Sequence, residues 1–297
     1  MQPSAPFVHR LAYCGSPIYG HIHNERLLEW IEYHRVTHAV DFFHFYDAGG
    51  IDESLRLRLK PYMSARMMDV RDVREVNEFE TWLYAQVGDR PPSLPPAPPS
   101  TAHALFAAQL LVVNDCALRT RFTAQWALFM DVDEFLYVSG APHSVQRVLR
   151  QHEGRPWVTF GSMFFWTDKC THSANVSLGL PQPWEVERMV FRQADAHCKN
   201  LAKYENRSVC LEFDGHRKYA VDPRQVAVCG IHKVVEPAVG GVHTTVEAVH
   251  INHFRGINTR HVATCTQFIH DTDWIPLTWA RDFTLAKAVH AVRLRLA

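Results

Sequence analysis

Two aspartates one residue apart, Asp131 and Asp133, follow an unbroken apolar run, Trp126-Ala-Leu-Phe-Met130. A short apolar run of this kind reads as a buried strand, so the pair sits where a strand ends and the chain turns. Carboxylates placed there can be turned toward one cation, and oxygen ligands suit Mg2+ or Mn2+. Such a cation can hold a diphosphate and neutralise it as it leaves. A second Asp-x-Asp, Asp271 and Asp273, has no long buried strand before it and reads as a solvated turn. A third ligand is expected from His250-Ile-Asn-His253, which follows the β-like run Thr244–Val249. Strand residues three apart face opposite sides, so only one of these histidines reaches the metal unless the backbone turns between them. Arg217 and Lys218, ahead of Tyr219-Ala-Val, are candidates to oppose charge developing on a leaving diphosphate. If an acceptor hydroxyl attacks a sugar carbon, a general base is needed. Glu134, Glu185 and Glu187 are the candidates, and spacing alone does not choose between them.

Regular elements must position these groups. Phe7 to Tyr13 reads as a strand, followed by a loop over Cys14–Gly20. Helical spacing runs over Asn24–Val36, with Asn24 as N-cap. Asp41–Tyr46 reads as a strand broken by the turn Asp47–Gly50, then Ser54–Tyr62 as a helix and Ala65–Val70 as a strand. This alternation predicts an α/β fold with a parallel sheet, in which ligands bind beyond the carboxyl ends of the strands. The loops at Cys14–Gly20 and Asp47–Gly50 lie at such ends. Residues 88–100, with six prolines, form an exposed insertion in this reading. Helix resumes over Thr101–Arg121, ending in basic residues that suit a helix C-terminus.

The chain has 297 residues with 31 basic and 31 acidic side chains, so its formal net charge is zero. That balance excludes a nucleic-acid binder driven by overall positive charge. Seven cysteines occur with no C-x-x-C. Cys229-Gly-Ile-His232 and His197-Cys198 offer zinc ligands but show no zinc-site spacing. Two glycosylation sequons, at Asn175 and Asn206, lie in the cysteine-rich half and favour a secretory lumen. The N-terminal residues lack signal-peptide features, and no apolar stretch is long enough for a membrane span. The 19 histidines stand out, and only a few have an assigned chemistry.

Several stretches resemble glycosyltransferase family 92, in its plant-type branch of pectic β-1,4-galactan synthases. They are His9-Arg-Leu-Ala-Tyr-Cys-Gly-Ser-Pro-Ile-Tyr-Gly20, Glu29-Trp-Ile-Glu-Tyr-His34, His44-Phe-Tyr-Asp-Ala-Gly-Gly50 and Val112-Val-Asn-Asp-Cys116. They continue with Trp126–Glu134, Arg217-Lys-Tyr-Ala220, Gly230-Ile-His232 and the histidines at 250 and 253. The resemblance implies a GT-A fold: one catalytic domain over 7–297, with a Rossmann-like mixed sheet flanked by helices. Residues 7–138 form its nucleotide-sugar half and 139–297 its acceptor half. It implies a UDP-sugar donor, UDP-galactose, and a glycan acceptor such as a β-1,4-galactan chain. It implies Mn2+ or Mg2+ held by Asp131 and Asp133, with His253 the better match to the family's late histidine and His250 second. Transfer is then a single displacement with inversion, Asp133 at the reaction centre and Glu187 the first choice of base. Cys14, Gly15, Ser16 and Asp47 line the nucleotide pocket, with Arg217 or Lys218 beside the diphosphate. The resemblance places the protein in the Golgi lumen, behind an N-terminal anchor missing from this chain, and a homodimer is compatible with it. The alternative is a non-catalytic sugar-nucleotide or glycan-binding protein of the same fold.

Overall fold

A computed structural model of the chain describes residues 7–20, 24–76, 108–139, 144–166, 191–193, 217–238, 240, 243–255, 279–281 and 284–296. Its first part alternates as the sequence predicts: β1 (His9–Gly15), α1 (Asn24–His38), β2 (Phe42–Asp47), α2 (Glu53–Ser64) and β3 (Met68–Asp72). Asp52 caps α2 by accepting the Leu55 N–H at 2.7 Å, which places the helix start at the side chain able to satisfy a free amide. Then come α3 (Gln109–Thr120), β4 (Ala124–Met130), β5 (Glu134–Val138), α4 (Val145–Arg150) and β6 (Trp157–Trp166). The last part holds β7 (Phe191–Gln193), β8 (Lys218–Val221), β9 (Val226–Cys229), β10 (Val234–Pro237), β11 (Thr244–Arg255), β12 (Trp279–Arg281) and α5 (Thr284–Leu296). The insertion at 88–100 and residues 101–107 of the expected third helix lie outside the described residues.

Strands β3, β2, β1 and β4 lie side by side in that order and run parallel. β8 adds to β4 antiparallel, and β6 follows β8. The result is one mixed ten-stranded sheet, with helices against it, in which residues 7–138 pair with the later strands through β4–β8 and β5–β11. Alternate side chains of the central strands go to opposite faces. Leu11, Tyr13, Phe43, Phe45, Trp126 and Leu128 enter a core with Trp30 and Leu55 of α1 and α2. Cys14, Tyr46, Ala127 and Phe129 enter a second core with Val112, Val113 and Cys116 of α3. Cys14 and Cys116 form a disulfide across that core. No helix among the described residues is long and apolar enough to cross a membrane.

Among the described residues β5 pairs with β11 on one edge and with no strand on the other. An antiparallel strand turns the N–H and C=O of alternate residues to opposite sides, so Glu134 and Leu136 point away from β11 and need other partners. Helix α1 supplies them. Trp30 Nε1 donates to the Glu134 carbonyl at 2.6 Å, and Tyr33 Oη donates to the Leu136 carbonyl at 2.7 Å. His38 Nε2 is 2.9 Å from the same Leu136 oxygen, and the Leu136 N–H donates to His34 Nε2 at 3.3 Å. His34 Nδ1 lies 2.8 Å from the Trp30 carbonyl, so the ring uses one nitrogen as donor and the other as acceptor, and is neutral. One helical face thus stands in for a strand and fixes the segment that begins at the acidic turn.

Candidate active site

β1 is followed in the sheet by β2 on one side and by β4 on the other. In an α/β sheet this reversal opens a crevice at the carboxyl ends of the strands. Ser16, just past β1, and Asp131, just past β4, face each other there: the Ser16 hydroxyl donates to Asp131 Oδ1. Gln109, at the start of α3, donates its amide N–H to Ser16 Oγ and holds the hydroxyl in place.

The acidic turn is closely tied. Glu134 Oε2 accepts the Asp131 N–H at 2.7 Å, and the Lys218 ammonium lies 2.7 Å from Asp131 Oδ2 and 3.4 Å from Glu134 Oε2. From β11, His253 reaches Asp133 Oδ2 with Nε2 at 3.5 Å and Glu134 Oε1 with Nδ1 at 3.3 Å. The pairing register His253↔Glu134 sets this meeting. Burial works against ionisation of Asp131, but the Lys218 charge overcomes it and holds the carboxyl below its usual range. Burial pushes Glu134 upward; Lys218 opposes this, while the Asp131 charge adds to it. Burial alone would lower His253, yet Asp133 and Glu134 raise it above an ordinary imidazole. Tyr19 is raised by burial and by the charges of Asp131 and Asp133, which places its phenol near the turn.

The two loops expected at the pocket do meet. Ile18 N–H donates to the Tyr46 carbonyl at 2.7 Å, and the Ile18 carbonyl accepts from Ala48 and Gly50 at 2.8 and 3.1 Å. A Cβ on Gly50 would lie 2.8 Å from the Ile18 carbonyl carbon and the Tyr19 nitrogen, so the contact is backbone on backbone. Gly15 is also needed for close approach. A Cβ there would lie 2.1 Å from Tyr13 Oη, which donates to the Met130 carbonyl at 3.0 Å.

Several expected positions are corrected. Cys14 and Gly15 belong to the end of β1 rather than to a loop, because the strand keeps pairing to Gly15↔Met130. The Cys14 thiol is spent in its disulfide, so only its backbone can serve a pocket. Asp47 is 1% exposed and caps its own turn. Its Oδ1 accepts from Gly49 and Ile51 and its Oδ2 pairs with Arg56 at 2.7 Å, beside a surface cleft of about 540 Å³. No side-chain oxygen of Asp47 is left facing solvent for a base or ribose. Lys218 is 1% exposed and committed to Asp131 and Glu134 rather than turned out toward a diphosphate. Arg217, one residue earlier, turns the other way, with Nη1 3.5 Å from Thr245 Oγ1. His250 pairs in register with Tyr137, their rings tilted against each other at 5.0 Å, away from the turn, as strand alternation requires. Glu134 is 0% exposed and enclosed by its partners, which fits positioning rather than proton abstraction from an acceptor. Glu185, Glu187, Asp271, Asp273 and both sequons lie outside the described residues. Gln109 and Tyr19 were not singled out by the sequence reading; a polar residue starting an apolar helix was the one signal for Gln109.

Asp133 and His253 fit a divalent cation as part of a shell. Asp133 Oδ2 and His253 Nε2 lie 3.5 Å apart, and the chemistry of one carboxylate and one imidazole suits Mn2+. Among the described residues no group of three or more His, Cys, Asp or Glu is arranged to hold a metal. Water and ligand oxygens would have to complete the shell, as is usual where phosphates share the ion.

Two Arabidopsis thaliana proteins are similar along most of the chain. Galactan beta-1,4-galactosyltransferase GALS2 is 28% identical over 289 residues, which is 95% of this chain and 48% of the relative. Galactan beta-1,4-galactosyltransferase GALS1 is 25% identical over 270 residues, 90% of this chain and 46% of the relative. The chain spans about half the length of the curated relatives it matches. Among solved structures, GalNAc-T7 with UDP, GalNAc and Mn2+ aligns over 83% of this chain and 44% of its own, at 9% identity and a TM-score of 0.39. The model of glycosyltransferase family 92 matches residues 9–284. A match of that extent, over a mixed sheet whose acidic turn stands at the β1–β4 switch point, shows that this chain belongs to glycosyltransferase family 92.

Proposed function

We propose that this chain is the GT-A catalytic domain of an inverting galactosyltransferase, moving galactose from UDP-galactose onto a glycan acceptor of the β-1,4-galactan type. The observation that carries the reading is the convergence of Ser16, Asp131, Asp133 and His253 at the carboxyl ends of β1 and β4 in a member of family 92. The galactan galactosyltransferases to which it is similar support the choice of sugar and acceptor. In a single displacement the acceptor oxygen bonds to the anomeric carbon as the bond to the diphosphate oxygen breaks, and the acceptor proton passes to a base. Glu187 is the proposed base. Asp133 and His253 would hold Mn2+ or Mg2+, which when bound supplies positive charge against the departing diphosphate. Ser16 and Asp131, locked to each other, form a rigid wall for the donor, and preorganisation of this kind is what lowers a transfer barrier. The disulfide fits an oxidising lumen such as the Golgi's.

A screen of UDP-sugars with Mn2+ and Mg2+, reading released UDP and the linkage formed on galacto-oligosaccharides, tests the proposal. UDP-galactose should lead, EDTA should abolish transfer, and Asp133→Asn should do the same with the fold intact. Activity that persists in EDTA would remove the metal's role. UDP binding with no turnover of any sugar would leave a binding protein instead.

A further inference from the structure

The Lys218 side chain lies almost wholly inside the acidic cluster, 2% exposed, with Nζ 2.7 Å from Asp131 Oδ2 and 3.4 Å from Glu134 Oε2. The other oxygen of Asp131 is taken by Ser16, itself held by Gln109. Both oxygens of this carboxylate therefore have partners within the protein. Glu134 is fully buried and gives Oε2 also to the Asp131 N–H. Asp133 differs, because its side chain is 30% exposed and its neighbour is His253 rather than the ammonium. A cation seeking Asp131 Oδ2 would have to expel Nζ and leave a buried ammonium with part of its compensation gone, which is strongly unfavourable.

We propose that Lys218 serves as an internal cation that withdraws Asp131 and Glu134 from the metal's ligand set. The chain by itself then offers Asp133 and His253, and a divalent ion binds tightly only when a nucleoside diphosphate brings further oxygens. The inference rests on the metal-dependent reading above. Its consequence is order: the free protein does not trap the metal, and metal and donor arrive as one unit. Lys218 is thus a positioning residue, acting through the two carboxylates it holds.

Titration of the full chain with Mn2+, followed by the electron paramagnetic resonance of free aqueous Mn2+, tests this without a turnover assay. Wild type should bind Mn2+ about tenfold or more tightly with UDP than without, since phosphate oxygens complete a shell that two residues leave open. Lys218→Met should bind Mn2+ alone about tenfold or more tightly than wild type, because Asp131 is released to join Asp133 and His253. The double variant Lys218→Met, Asp131→Asn should lose that gain. Equal Mn2+ affinity of wild type with and without UDP overturns the proposal, and this comparison holds even if Lys218→Met does not fold. A gain that survives the double variant also overturns it. No Mn2+ uptake by wild type in either condition refutes the metal-dependent reading itself, a separate outcome.

Discussion

Replacing Cys14 and Cys116 together with alanine should remove a large share of the stability of this fold. The bridge closes a loop of 102 residues between the end of β1 and the middle of α3. In the chain-entropy picture a cross-link of that span restricts the unfolded chain by about 16 cal/mol/K, or about 4.7 kcal/mol at 25 °C. Unfolding entropy of about 2.1 cal/mol/K per residue converts this to a fall in Tm of about 8 °C for a chain of this length. Truncation of two buried side chains, 1% and 0% exposed, adds a smaller loss from packing in the α3-side core. The assay is thermal unfolding by circular dichroism, with and without reductant. Wild type under oxidising conditions should melt well above both the double variant and its own reduced form. Cys229 is buried and has no cysteine partner among the described residues, so Cys229→Ala should leave the reductant-dependent shift in place. A double variant melting within about 2 °C of oxidised wild type would refute the reasoning, since a cross-link of this span should shift Tm by several degrees.

Three further outcomes follow from the packing around the site. Gly50→Ala would push a methyl into the backbone at Ile18 and Tyr19 and should cost about 1–3 kcal/mol by urea unfolding. Tyr33→Phe removes one donor to the Leu136 carbonyl while His38 keeps that oxygen satisfied; the expected loss is about 1 kcal/mol in the same assay. Burial and the adjacent His38 hold the His34 imidazole well below its ordinary range, against the pull of its hydrogen bond to Trp30. The unfolded chain therefore takes up a proton near pH 6.5 that the folded chain refuses, and stability falls as pH drops below that value. The slope due to this one residue approaches about 1.4 kcal/mol per pH unit. His34→Asn should be less stable at pH 7.5 and show a shallower acid slope; an unchanged slope would contradict the buried neutral ring.

Much of the nucleotide half was legible from local pattern. Alternating apolar runs and helical spacing gave β1, α1, β2 and α2 nearly in place, because each element's periodicity is a property of adjacent residues. The acidic turn was legible for the same reason: Asp131 and Asp133 follow an apolar run that reads as a buried strand. Strand alternation also foretold that His250 and His253 would separate, and that rule is as local as the run itself.

What stayed hidden depended on partners far along the chain. The sequence placed Arg217 and Lys218 side by side as equal candidates. The β4–β8 pairing decided that Lys218 faces Asp131, 87 residues away, and that Arg217 does not. Asp47 looked like an open acceptor until its own turn and Arg56 took both oxygens. His34 had no visible task, since its purpose is to satisfy a strand edge that exists only once β5 docks on α1. Composition and periodicity determined which elements form and where their chemistry concentrates. Tertiary structure decided which polar groups are consumed in holding the fold and which remain for a ligand, because a buried polar group must find a partner and that partner is set by packing, not by its neighbours in sequence.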